Sequence, residues 1–200
     1  MAKTLKSPAE SNLIPKDTLD ELKPSGTHTP RLYGLPKVHK PGIPLLPILD
    51  MCQSPYHSTA KCLVKALEPL HRELVKFSVK DVFSFVETAK SLNVKGKKMM
   101  SLGVASLFTN VPLLETVNYI CDQLIERNID VGIPSEKVKE LLLKCIMNVQ
   151  FMFNNGFYRQ VNGVAMGSPL GPMLAIFSWQ SLKMVHSKTR LKGLTIIVDT

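Results

Sequence analysis

Lys37, His39 and Lys40 lie in a short stretch, Arg31-Leu-Tyr-Gly-Leu-Pro-Lys-Val-His-Lys40, stiffened by Pro36 and followed by Pro41. Cations projected from a fixed loop suit contact with phosphate, and lysine makes that contact as a point charge. A solvated basic loop has the same composition, so the stretch by itself leaves both readings open. A second stretch, Met99-Met-Ser-Leu-Gly-Val-Ala-Ser-Leu-Phe-Thr-Asn-Val-Pro112, reads as a buried strand and its exit into a helix. Nothing polar in it requires a functional account. The third is Gly163-Val-Ala-Met-Gly-Ser-Pro-Leu-Gly-Pro172, with glycines at 163, 167 and 171. Such spacing lets another backbone, or a flat base, approach closely ahead of a helix. It has neither the Gly-Lys-Ser/Thr ending of a P-loop nor Gly-x-Gly-x-x-Gly, so the common nucleotide motifs do not apply.

Positioning such residues takes a folded domain, and the composition supplies one. The chain has 200 residues, 44% hydrophobic and 20% charged, enough to bury a core. Lys and Arg number 25 against 16 Asp and Glu, giving +9 and a sequence pI near 9.4. A basic excess of this size favours nucleic acid or another anionic surface as partner. No apolar run has membrane-span length, and the start lacks the apolar core of a signal peptide, so no membrane association is expected. Cys52, Cys62, Cys121 and Cys145 form no Cys-x-x-Cys pair, a poor match to a zinc site or disulfide scaffold. An intracellular setting, nucleus or cytoplasm, is the expectation.

Residues 1–30, with Pro15, Pro24, Gly26 and Pro30, read as a loose lead-in. Closely spaced prolines over 31–57 favour short extended pieces, with Ile43, Leu45, Leu46, Ile48 and Leu49 as apolar contacts. Leu63, Leu67, Leu70 and Leu74 predict a helix from a cap at Ser58 to about Phe77, kinked or broken at Pro69. A helix over 81–92 follows, with Val82, Phe85, Val86, Ala89 and Leu92 inward, then the basic loop Lys95–Lys98. Pro112 opens a helix striped by Leu113, Val117, Ile120, Cys121 and Leu124. Ser135 caps the next, with Val138, Leu141, Leu142, Cys145 and Ile146 inward. Val149–Phe153, the turn Asn154-Asn155-Gly156 and Phe157–Val161 read as a hairpin before a last helix. This order predicts an α+β domain with an antiparallel sheet.

Taken together and in order, LYGLPKVHK, then SL-x-V-x-SLFTNVP, then AMGSPLGP-x-LA resemble the reverse transcriptase of Penelope-like retroelements. The likeness runs from about Arg31 to Ala175 and includes SPYHSTAK, KELLLKC and NVQFMFNNGFYRQV. It implies a right-hand polymerase fold: fingers in the early part, then a palm with a small antiparallel sheet backed by helices. The partners it implies are an RNA or DNA template-primer and deoxynucleotides. It also implies two Mg²⁺ ions held by aspartates, one in the second stretch and a pair in a later Tyr-x-Asp-Asp turn. Such ions activate the primer 3′-hydroxyl and neutralise phosphate charge during in-line attack. By this resemblance Lys37 and Lys40 lie near the incoming triphosphate, and Phe108 crowds the 2′-hydroxyl. Gly167, Ser168 and Pro169 then support the template base and the nucleotide.

Departures from that pattern fall on its chemistry. Where the family has Ser-Leu-Asp-Val, this chain has Ser101-Leu102-Gly103-Val104, and Gly103 can ligate nothing. The fingers' Arg-Pro-Ile is Leu46-Pro47-Ile48, and the Asp expected after Ala175 is Ile176. From Ile176 to Thr200 the likeness ends. One base restored before a permitted coding of Ile-Phe-Ser-Trp regroups it to Asp-Phe-Phe-Leu, as the family reads. Continued, 176–200 regroup to DFFLAKLENGPLKDTIKGLDYYCRYV, which points to a reading-frame shift. Asp199 then has no catalytic ancestry. The expected organisation is a lead-in over 1–30, a fingers and partial-palm fragment over 31–175, and a shifted tail over 176–200. Such a chain is expected to stop short of the aspartate pair, to hold Mg²⁺ unproductively and to lack polymerase activity. Two alternatives are a non-catalytic nucleic-acid-binding remnant and the product of a decayed reading frame without function.

Overall fold

Leucines and valines three and four apart dictate most of the helices, and their stripes meet in one core. The computed structural model describes Ile14 and residues 16–23, 25–75, 79, 81–92, 103–147 and 149–187. In chain order these form α1 (Lys16–Leu22), β1 (Arg31–Pro36), β2 (Leu45–Asp50), α2 (His57–Leu74) and α3 (Val82–Ser91). A 3₁₀ turn at Phe108–Asn110 leads to α4 (Leu113–Glu126), α5 (Ser135–Ile146), β3 (Gln150–Phe153), β4 (Gly156–Arg159) and α6 (Gly171–Ser187). About half of the described residues are helical, and the class is α+β.

In α2, α4 and α5 most of the residues of the stripes read from the sequence are the buried ones. Leu63, Leu67 and Leu70 of α2, Val117, Ile120, Cys121 and Leu124 of α4, and all five residues named for α5 are buried together. α4 packs on both α5 and α6, and α2 packs on α5. α6 is apolar nearly all round (Met173, Leu174, Ala175 and Phe177 are buried), as a helix inside a core must be. It runs without interruption across the 175/176 junction.

Several expectations are corrected. The lead-in is not loose throughout: α1 packs on α2, burying Leu22, and Thr59 Oγ1 donates to Leu22 O at 3.0 Å. α2 starts at His57 with Tyr56 as N-cap and passes through Pro69. Pro69 is exposed, while Leu67 and Leu70 on either side are fully buried and hold the turns in line. Pro112 and Pro134, rather than helical residues, occupy the N-cap positions of α4 and α5. α3 forms, capped by Asp81 accepting from the Ser84 N–H at 2.8 Å, yet it buries none of its residues. Over 103–110 there is a turn and the 3₁₀ segment instead of a strand; Met99–Leu102, the loop 95–98 and Asp199 lie outside the described residues.

The sheet has the order β2-β1-β3-β4 and is mixed, not antiparallel throughout. β1 and β2 pair antiparallel from Arg31↔Asp50 to Pro36↔Leu45, and β3 and β4 form the expected hairpin. β1 and β3, far apart in the chain, join in parallel at Arg31↔Met152. One sheet face carries Leu32, Leu49 and Phe151, which pack with Val149, Met51 and Ala165.

Candidate functional site

The glycine-rich stretch is a backbone clamp. Gly163 has φ +68°, and a Cβ there would overlap Phe108 O; the Val164 N–H donates to that same oxygen at 2.8 Å. Gly167 has φ +109°, and a Cβ would overlap Leu49 O of β2. The Leu49 N–H in turn donates to Met166 O at 2.7 Å. Close approach was the expectation for these glycines, and a backbone fills the space at both positions. Ser168 is buried, its Oγ accepting from the Leu170 N–H at 3.3 Å, and its carbonyl receives the Gly171 N–H at 2.9 Å. Pro169 is half-buried between them.

Phe108 is half-buried, packs against the main core and lies beside Gly171. It therefore joins the glycine-rich segment, as Gly167–Pro169 do by sequence. Gly103 is exposed, and nothing lies within 4 Å of where its Cβ would point. The basic loop closes the β1–β2 hairpin. Lys37 N–H donates to Pro44 O (2.9 Å), Lys40 N–H to Lys37 O (3.0 Å) and Ile43 N–H to Lys40 O (3.1 Å). Gly42 and Ile43 turn the chain with φ +75° and +42°. Lys37 is half-buried and Lys40 exposed. Lys37, just past the end of β1, stands five residues from Leu32, the partner of Leu49, which is roughly 16 Å along the strand from the level of the Gly167 clamp.

Sequence reasoning missed the outer sheet face. Pairing register puts Arg31, Tyr33 and Leu35 of β1 on the same side as Met152 of β3 and Phe157 and Arg159 of β4. Phe157 is 76% and Tyr33 46% exposed. Asp50 stands opposite Arg31. The alternation of Arg31 and Tyr33 was visible in the sequence, but only the parallel β1–β3 junction brings β4 beside them.

Gly103 has no side-chain donor atom, Ser168 Oγ is engaged, and among the described residues no three His, Cys, Asp or Glu side chains gather. Burial pushes the Cys145 thiol up to about 12 and raises Cys62 and Cys121, which disfavours their thiolate forms. Scanned against known families the chain matches none, and a search of curated proteins finds no relative.

Proposed function

We propose that this chain derives from the fingers and palm of a Penelope-like reverse transcriptase, lacks polymerase activity, and keeps a weak, sequence-blind hold on nucleic acid. The observation that supports the reading is that two of the resembling stretches meet: the glycine segment packs by backbone contact on Phe108 and, beyond those stretches, on Leu49 of β2. Inactivity follows from Gly103. A divalent cation among phosphates needs hard oxygen ligands at fixed separations, and a position without a side chain supplies none. Binding is separable from chemistry, because phosphate contacts need only lysine and arginine. The hairpin loop offers Lys37 and Lys40, and the outer sheet face offers aromatic rings on which bases can stack.

Filter binding of a single-stranded oligonucleotide, alongside a Mg²⁺-dependent primer-extension assay, tests this. Affinity should fall steeply between low and moderate salt, and Lys37→Ala with Lys40→Ala should flatten that slope by about one to two charges. Phe157→Ala should weaken binding by about 1–3 kcal/mol at either salt. Primer extension should be absent. Measurable extension, or no binding at low salt, would overturn the respective half of the proposal.

A further inference from the structure

Rings and cations share the outer sheet face. Arg31, Tyr33 and Leu35 of β1 alternate to that side, and the pairings Arg31↔Met152 and Met152↔Phe157 set β1, β3 and β4 level there. The β1 register continues past the strand end, because the Lys37 N–H donates to Pro44 O at 2.9 Å. Lys37 thus falls in the same row, which reads cation, ring, aliphatic, cation along the chain. Tyr33 and Leu35 are half exposed, Phe157 is largely so, and Met152 lies half-buried between β1 and β4. Among the described residues the helices pack on helices and the strands on strands, so no helix is laid across this face.

Phe157 stands two strands over from Tyr33 and two residues along, which sets their Cα atoms roughly 12 Å apart. Bases stacked on each other are about 3.4 Å apart, so one stacked pair cannot use both rings. Two bases splayed from a single strand can, as when a four-stranded sheet takes RNA bases on its aromatic side chains. Charge selects among occupants. The chain carries +9, which repels a second copy and attracts a polyanion. Arg31 stands at the corner between the rings, two residues from Tyr33 and in line with Phe157. Asp50 faces Arg31 from β2, the side away from Phe157, and turns a polyanion towards β3 and β4. An acidic peptide would answer the cations alone, whereas a polyanion that also carries flat apolar faces answers the rings.

We propose that this face binds one unpaired nucleic-acid strand with two splayed bases, one on Tyr33 and one on Phe157, and a phosphate between them on Arg31. It rests on the nucleic-acid hold inferred above and gives that hold a footprint, crossing from β1 to β4. Base identity does not matter, because every base has a flat face. Lys37 meets the phosphates that lead in past Leu35.

A short thymidine oligonucleotide, an abasic strand of the same length, the duplex of the first with its complement, and poly-glutamate of matched charge are each titrated into the full chain at low salt. The thymidine strand should bind roughly a hundredfold more tightly than the abasic one, about tenfold for each ring. Tyr33→Ala with Phe157→Ala should erase that difference, and the loss should fall on the thymidine strand and not on its duplex. Tyr33→Trp with Phe157→Trp keeps both rings and should restore the difference, which separates lost stacking from lost fold. Equal affinity for thymidine and abasic strands, or a difference that survives in the alanine pair, overturns the footprint and leaves the nucleic-acid hold standing. A duplex weakened as much as the single strand does the same. Poly-glutamate bound as tightly as the thymidine strand overturns the proposal in favour of an acidic protein. If no strand binds at low salt, the nucleic-acid hold itself falls, and this footprint with it.

Discussion

At Gly167 a single missing side chain decides the local structure. Its φ of +109° is a conformation that L residues avoid, and Leu49 O occupies the space where a Cβ would go. Gly167→Ala therefore meets both backbone strain and a clash with an atom that cannot swing aside. The expected loss is about 3 kcal/mol or more, read from the urea midpoint. Gly103 is the counterpart: open space surrounds it, so Gly103→Asp should change stability by no more than about 0.5 kcal/mol. A loss below about 1 kcal/mol at Gly167 would mean that β2 yields, and the clamp would have to be abandoned. Glycine spacing marks 163, 167 and 171 as points of close approach in the sequence. What approaches is not legible there, because Leu49 and Phe108 come from distant parts of the chain.

Among the elements, periodicity reports the helices well because an amphipathic stripe has one place to go. α5 buries every residue its stripe names, whereas α3 has a stripe of similar kind and buries none, Val82 being 73% exposed. Periodicity says which side is apolar but cannot supply a neighbour. Strand pairing shows the same limit. The β3–β4 hairpin follows from its turn residues, while the parallel β1–β3 junction depends on a long-range contact that no local pattern encodes. The turn itself is tighter than the three residues expected: Asn154 and Asn155 have φ of +46° and +59°, and Gly156 already pairs with Phe153. Two consecutive positive φ values define a type I′ turn, which matches strand twist and favours Asn followed by Gly. Asn155→Gly should accordingly stabilise the chain by about 0.5–1 kcal/mol, and Asn155→Val should destabilise it by about 1–2 kcal/mol. Thermal melting of the pair checks this; equal or reversed effects would show that the turn has another geometry.

On the scale of the whole molecule, apolar surface is divided unequally. α6 lies against α2 and α4 and forms the middle of the core, with Phe177 wholly buried and edge-on to His71 at 6.1 Å between ring centroids. α3 and the β4 edge leave Phe83, Phe157 and Val161 largely in solvent, a pattern that elsewhere marks interaction surfaces or aggregation hazards. Two phenylalanines thus occupy opposite situations. Phe177→Ala removes a ring from a site with no solvent to collapse into, and the transfer and cavity terms together should amount to about 3–5 kcal/mol. Phe83→Ala removes one that already contacts water, with an expected change within about 0.5 kcal/mol and a higher concentration threshold for aggregation. Residues from 176 onward lie beyond the family likeness, so a large effect at Phe177 carries a further consequence. It would mean that the segment expected from the sequence to be a frame-shifted tail is part of the cooperative core. A small effect would instead make α6 dispensable after Ala175, with the core closed by α2, α4 and α5 alone. Denaturant unfolding of both variants, with light scattering across a concentration series, separates these outcomes.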